Sequence, residues 1–573
     1  MRTFLALVVA FGVCSAISAQ SPFGVSSSAS AFRDHAEWFP QMAAAGVKTV
    51  RLFPEWRSIE PQKGQFKWDD TDLLVKNAAA NKLEINAVLM GSPPDAKAIH
   101  AFPMERLDDW SAWVSAVAAR YRGKIRYWEV WNEGNAGFND GKHTTKDYAK
   151  LVAATYAAVK KADPEAKVGL SVASYDAAYL YQTMVALKES GKPGSFDFLA
   201  VHPYEIADGL DQPDGEIPFL WMTQMLRTAL KAAAPERADA EIWITETGCR
   251  LHRRGERQVS EEEAARSLVK QYVMAIAQGI RCVQWFEARD PQGEDAGFGL
   301  LSRAGEPRKS YTALKTLAET LGPNPRAIGW VALGKEKRGY GFLFQGKSAP
   351  VLVAWMPRGR KDNVDTTGES LLDATTGKPL PVGDGFAFTD APILVVNPPG
   401  GLVQEAEANA KKPFPWGGDY STAKAVKCRP GSPEEFGGVF VTNHEAPRVT
   451  FADGSTGVVM RGDIGHPLSF WVHPTFAGLL TKEYYIRAKV RRLAAGNVGM
   501  NLLYEVADSQ GGAAYKNTGV WGGTTDKFGW QTITWHVKDA CFAKLWGNDF
   551  TLRPEQSVPF VMGEVEVSTE PLP

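Results

Sequence analysis

The chain has 573 residues, too many for one small module and enough for several domains. Its 64 Lys and Arg against 65 Asp and Glu leave a formal charge of -1, so bulk charge gives no reason to expect nucleic acid or an anionic membrane as partner. A hydrophobic fraction of 44% with 23% charged residues is the balance of a chain with large cores, which excludes a disordered protein.

The N-terminus carries Arg2, an apolar run from Phe4 to Val13 and small residues up to Ala19, the layout of a signal peptide over residues 1–19. The run is too short to span a bilayer, so a secreted or periplasmic protein with no membrane span is expected. Cys14 follows the bulky Val13, which argues against a lipoprotein. Export leaves Cys249, Cys282, Cys428 and Cys541, too few for a disulfide framework. Cys428 and Cys541 share the C-terminal region and either pair or stay as buried thiols.

From Phe23 onward, short β-rich runs alternate with helix-period segments, the signature of βα units. Eight strands are expected: Phe23 to Val25, Thr49 to Phe53, Ile85 to Met90, Arg126 to Trp131, Val168 to Val172, Phe196 to Val201, Glu241 to Thr245 and Cys282 to Phe286. After the third, Trp110, Val114, Val117 and Tyr121 form one apolar stripe at helical spacing. Ser260 and Glu263 open another helix as a capping box, with Gly279 as its stop. The pattern fits a (β/α)8 TIM barrel over residues 20–322, whose chemistry sits at the C-terminal ends of its strands.

Two of those ends carry a glutamate: Trp131-Asn132-Glu133 after the fourth strand and Thr245-Glu246 at the end of the seventh. Glycosidic bonds break through an oxocarbenium-like state that needs a proton on the leaving oxygen and negative charge at the anomeric carbon, hence two carboxyl groups. With Arg51 ending strand two, His202-Pro203-Tyr204 after strand six, Trp285 on strand eight and the segment Trp56 to Trp68, the chain resembles the clan A glycoside hydrolases, most nearly their family 39-like branch. The resemblance runs from residue 23 to about 320.

It implies a retaining enzyme without metal or cofactor, with Glu133 as acid/base and Glu246 as nucleophile, their carboxyls about 5 to 5.5 Å apart. Glu133 is expected to have a raised pKa, and Arg51 with Tyr204 to keep Glu246 ionised and aimed. Asn132 suits the sugar 2-hydroxyl, His202 orients the same region, and Trp285 offers a face for a sugar ring. Many relatives carry Pro after the acid/base, where this chain has Gly134, which leaves the stiffness of the following loop open. The implied substrate is a poly- or oligosaccharide. The alternatives are a glycan-binding protein that kept the barrel, or a transglycosylase. A metal-dependent hydrolase is disfavoured because the nine His form no H-x-H or H-E-x-x-H motif.

After the seventh strand, Arg250, Arg253, Arg254 and Arg257 crowd one loop, either a solvated surface or a selector for anionic glycans. Beyond Leu321 helical periodicity gives way to short strands, expected to form a small β-sandwich over residues 323–397. Pro398 to Gly401 reads as a linker. Residues 402–573, with Glu405-Ala406-Glu407 near their start and a period-2 pattern at Ile486 to Arg491 and Ile533 to Val537, are expected to form a jelly-roll-like β-sandwich, a candidate carbohydrate-binding module. Trp416, Trp471, Trp521, Trp530 and Trp546 are its candidate sugar-stacking residues.

Overall fold

The computed structural model describes residues 21–28, 34–251, 258–291, 297–364, 370–381, 386–431, 436–442, 446–479, 481–507, 512–545 and 547–572. The leader read over residues 1–19, the loop from His252 to Arg257 and Trp546 lie outside them.

Eight parallel strands close in sequence order into a barrel, the last pairing back on the first. They are β1 (Phe23–Ser26), β2 (Thr49–Leu52), β3 (Glu84–Leu89), β4 (Tyr127–Val130), β5 (Lys167–Ser171), β6 (Phe198–Val201), β7 (Glu241–Thr247) and β8 (Cys282–Phe286). Helices cover the outside, so the strands are buried on both faces and read as apolar runs. The stripe Trp110, Val114, Val117 and Tyr121 is buried on and just after the helix Leu107–Arg120, and the Ser260–Glu263 capping box opens the helix Glu261–Ala277.

Tyr127, Phe198, Trp243 and Cys282 form a buried cluster inside the barrel, and a Cβ on Gly169 would stand 2.3 Å from the Phe198 ring. This plug fills the lower layer. Two residues further along β4 and β7, on the same side of each strand, come Glu129 and Thr245, so polar groups begin directly above an apolar floor.

The next unit is a five-stranded antiparallel sheet in the order Ser370–Asp373, Ile393–Val396, Pro350–Trp355, Gly339–Gln345, Arg326–Leu333, with a two-stranded ribbon of Asp362–Asn363 and Ala387–Phe388. It is anchored on the barrel where Glu216 Oε1 accepts from Trp355 Nε1 at 3.0 Å and from Lys270 Nζ at 2.7 Å. The expected linker is corrected: residues Gly400–Asn409 are a helix. Its Leu402, Val403 and Ala406 pack on this sheet, where a Cβ on Gly329 would stand 1.9 Å from Ala406 O. Glu405-Ala406-Glu407 therefore belongs to a helix on the second unit and opens no strand of the third.

Twelve antiparallel strands between Ala425 and Ser568 form the C-terminal sheet. Strand Lys482–Arg492 alternates buried and outward residues, and its Ile486, Ala488 and Val490 share one core with Val426, Phe470 and Phe550 from distant strands, so the sheet wraps around that core. Of the two alternatives for Cys428 and Cys541, the second holds: both are buried thiols that form no disulfide. Cys428 lies in the central core of the sheet, whereas Cys541 belongs to a small cluster with Ala178, Ala513 and Leu545 where the sheet meets the barrel. There its thiol donates to Leu479 O at 3.1 Å, and burial pushes its pKa up to about 12. No helix among the described residues is long and apolar enough to cross a membrane.

Candidate active site

Arg51 on β2 is the hub of the upper layer. Its side chain is fully buried, and it grips Glu129 of β4 through two hydrogen bonds, Nε to Oε1 and Nη2 to Oε2, each 3.0 Å. It also donates to Glu246 Oε1 and, at 2.8 Å, to Asn132 Oδ1. Burial works against its charge, but the Glu129 and Glu246 carboxylates outweigh that and hold the guanidinium above its ordinary range. Asn86 of β3 donates to Glu129 Oε1 at 2.5 Å and to Gln284 Oε1 of β8 at 3.1 Å. Because Arg51 takes the oxygen of the Asn132 amide, the nitrogen remains as the donor for a ligand hydroxyl.

Glu133 and Glu246 meet across the mouth of the barrel, where His202 sits between them. His202 Nδ1 is 2.9 Å from Glu133 Oε1 and 3.9 Å from Glu246 Oε2, and the donor atoms of all three lie within 4.8 Å of one another. His202 Nε2 meets Thr245 Oγ1 at 3.1 Å, so the ring is held at both nitrogens. Tyr204 donates to Glu246 Oε2 at 3.0 Å. Burial, with the charges of Glu246 and Glu133, holds the phenol well above its ordinary range, so it stays a donor. Glu246 is thus aimed by Arg51 on one oxygen and Tyr204 on the other.

Trp131 and Glu133 both adopt positive φ, 66° and 48°, an uncommon conformation for residues with a side chain and one that clusters at functional sites. The loop that follows is well tied without proline: Trp131 Nε1 donates to Phe138 O at 2.7 Å and Asn139 Nδ2 to Gly134 O at 2.8 Å. Gly134 has its own reason. A Cβ there would stand 2.7 Å from Phe102 Cζ, so a proline would displace that ring. Asn135 is held as well, its Oδ1 accepting from Ala173 N at 2.7 Å and its Nδ2 donating to Asp176 at 3.1 Å.

One expectation about Glu133 is overturned. Burial does push its pKa upward, but the hydrogen bond from His202 and the charges of His202 and Arg51 outweigh burial, and the net direction is downward. Two carboxyls near the site are raised instead, Glu205 after β6 and Glu287 after β8, neither singled out in the sequence. Burial, helped for Glu205 by Asp208 and Glu133 and for Glu287 by Asp290 and Glu246, pushes each to about 7.

A carboxyl whose folded pKa exceeds its unfolded value carries no penalty below the unfolded pKa and costs stability as the pH rises toward the folded one. The pair Glu205→Gln and Glu287→Gln is therefore expected to stabilise the protein at pH 8 by roughly 2–4 kcal/mol relative to pH 4. Thermal melts of the double variant and wild type across that range check this, and a Tm difference that does not grow with pH would refute it. Glu133 acts in the opposite sense, contributing stability above its unfolded pKa that is lost on acidification.

The site brings together Arg51, Asn132, Glu133, His202, Tyr204 and Glu246. It does not admit Trp285, which is 1% exposed with its Nε1 donating to Phe298 O at 3.2 Å, so no face is free for a sugar. Its neighbour Phe286 is the half-buried ring on that side, edge-on to Tyr204 at 6.4 Å. Among the described residues, Glu133, His202 and Glu246 form the group whose donor atoms lie close enough to hold a metal ion. Arg51 already supplies positive charge to Glu246 there, which disfavours a second cation.

The glycosyl hydrolase family 10 model matches residues 22–185. An endo-1,4-beta-xylanase 3 of Hypocrea jecorina is 32% identical over 145 residues, which are 24% of this chain and 41% of that protein. A beta-xylosidase of Caldicellulosiruptor saccharolyticus is 26% identical over 232 residues, 38% of this chain and 47% of that protein. The chain thus spans less than half the length of these curated relatives. A family 39 glycoside hydrolase of Bacteroides cellulosilyticus WH2 aligns in structure with a TM-score of 0.53 at 20% identity, over 66% of this chain and 81% of that one, a likeness of fold. Within the barrel, residues 22–185 are thus similar to the glycosyl hydrolase family 10 model. That stretch holds Arg51, Asn132 and Glu133 and stops short of His202, Tyr204 and Glu246.

Proposed function

We propose that the protein is a retaining glycoside hydrolase that cleaves β-linked xylose-containing glycans by double displacement, with Glu246 as nucleophile and Glu133 as acid/base. The observation that carries this reading is the convergence of Glu133 and Glu246, from β4 and β7, around His202 with their oxygens within 4.8 Å. That separation suits attack by a carboxylate and leaves too little room for an intervening water, as inversion requires. The relatives named as xylanase and xylosidase support the sugar class.

Glu246, aimed by Arg51 and Tyr204, attacks the anomeric carbon while the leaving oxygen is protonated. Thr245 Oγ1 donates to Glu129, so His202 Nε2–H donates to Thr245 Oγ1, and the proton between His202 Nδ1 and Glu133 Oε1 is then one that Glu133 can deliver to the leaving oxygen while a neutral imidazole is left behind. Water then attacks the glycosyl-enzyme as the ionised Glu133 removes its proton. Asn132, fixed by Arg51, donates to the 2-hydroxyl as charge develops in the ring. Export is part of the proposal, on the strength of Arg2 and the apolar run Phe4 to Val13.

The test is the stereochemistry of hydrolysis. Following an aryl β-xyloside by proton NMR is expected to show the β anomer of xylose first, with the α anomer appearing only by mutarotation. An α-first product would overturn double displacement. A panel in which xylosides and xylan are untouched while another β-glycan is cleaved would overturn the sugar assignment alone.

A further inference from the structure

Of the five tryptophans singled out in the C-terminal part of the sequence, the four among the described residues separate by exposure. Trp416 and Trp471 are buried, Trp530 is half-buried, and Trp521 is 40% exposed. Trp521 lies on the strand Ala513–Gly523, directly opposite Asn501 of the strand Gly499–Ala507, which in turn opposes Arg553 of the strand Phe550–Pro554. Opposed residues of antiparallel strands project from the same face, so these three form one row across the sheet.

The indole does not stand up from that row. A Cβ built on Gly499 or on Gly523 would come within 2.2 or 2.3 Å of ring atoms of Trp521, so the ring lies along the sheet across two bare glycines. One face of the ring rests on backbone and the other is presented outward. The surroundings are polar. Asn501 Nδ2 donates to Glu555, and half-buried Arg553 brings its guanidinium to the same row, with its Nε covered and without a hydrogen-bond partner. One row on, Ser469 and Thr551 bring their hydroxyls to 3.0 Å on the same face.

A flat apolar plate edged by amide, hydroxyl, carboxylate and guanidinium matches the two sides of a pyranose, an apolar C–H face and a rim of hydroxyls. Nucleic acid would call for net positive charge, and here Glu555 offsets Arg553. Position adds a second reason. The same strand runs back to Ala513, whose N–H donates to Asp176 Oδ1 at 3.4 Å, and Asp176 Oδ2 accepts from Asn135, two residues after Glu133. Gly547 packs against the backbone of Glu205 on the same rim, where a Cβ would stand 3.1 Å away. The face bearing Trp521 thus leads to the catalytic mouth.

We propose that this face of the C-terminal sheet is an accessory binding surface for the glycan chain whose scissile bond lies between Glu133 and Glu246, with Trp521 as its stacking platform. The proposal rests on the hydrolase reading above. The probe is soluble β-1,4-xylan, with binding measured by affinity electrophoresis and by calorimetry on the full chain, and turnover of an aryl β-xyloside measured alongside. Trp521→Ala is expected to weaken xylan binding about tenfold, the equivalent of one strong aromatic contact. Trp521→Phe should recover part of the loss, and Arg553→Met should weaken binding by a smaller factor.

All three variants should melt like wild type and turn over the aryl xyloside at the wild-type rate. Unchanged xylan affinity in Trp521→Ala, or no binding of xylan by the wild type, would overturn the surface. If the aryl xyloside is cleaved normally in that case, the catalytic reading is untouched. Weakened binding by Trp521→Ala in a protein that cleaves no glycoside would leave the surface standing and remove the hydrolase.

Discussion

Replacing Glu246 with alanine is expected to lower turnover of an aryl β-xyloside by about 10⁴- to 10⁶-fold, the largest single effect of any substitution in this chain. In the proposed reaction this carboxylate bonds to the anomeric carbon, and both its oxygens are held, one by Arg51 and one by Tyr204. Removing it leaves a cavity beside a guanidinium. Azide should enter there, attack from the vacated side and give the α-glycosyl azide in one inverting step. Glu133→Ala should behave differently: the first step, read as kcat/KM, suffers only when the leaving group needs a proton, while the second step loses its base for every substrate. A nitrophenolate should depart at close to the normal rate, a sugar alcohol about 10²- to 10⁴-fold more slowly, and azide should return the β product. Full turnover by Glu246→Ala would remove the nucleophile, and equal losses in kcat/KM on good and poor leaving groups would remove the acid/base.

These two carboxyls were legible in the sequence because their chemistry is tied to strand ends, and eight β-rich runs between helical stripes made the strand ends easy to locate. The limits of each strand were less so. Phe196 is buried and apolar but precedes β6, which begins at Phe198, and β7 continues through Thr247, so Glu246 projects from the strand itself. On β8 the bounds are those expected, but successive residues face opposite sides of a strand, so Trp285, assigned through the resemblance, is buried while Phe286 is its half-buried neighbour.

Glu129 left a signal that went unread. A carboxylate within Tyr127-Trp128-Glu129-Val130-Trp131 is too costly to bury alone and implies a buried cation, which Arg51 supplies. The helix Gly400–Asn409 was hidden by two prolines and two glycines, although Leu402, Val403 and Ala406 already lay on one helical face. The directions of the carboxyl pKa shifts could not be read from sequence, since they depend on which imidazole or backbone group happens to face each carboxyl in space.

Arg51 carries the second large effect, and it joins stability to activity. Arg51→Met keeps the length and apolar stem of the side chain but removes the charge that three groups share. Glu129 then lies wholly buried with only Asn86 and Thr245 as donors, the situation in which breaking a buried pair costs about 3–5 kcal/mol. Denaturant midpoints should fall accordingly. Activity should fall further than stability alone explains, because Glu246 loses a guiding donor and the Asn132 amide is free to turn its oxygen toward the cleft.

Arg51→Lys separates the two effects. A single ammonium restores charge, and so much of the stability, but it cannot reach Glu129 by two parallel bonds while also touching Asn132 and Glu246. A variant that melts near wild type yet turns over aryl β-xyloside at least tenfold more slowly is the expected result. If Arg51→Met instead unfolds at the wild-type midpoint and retains wild-type kcat, Glu129 does not depend on Arg51, and the polar layer is not what aims the nucleophile.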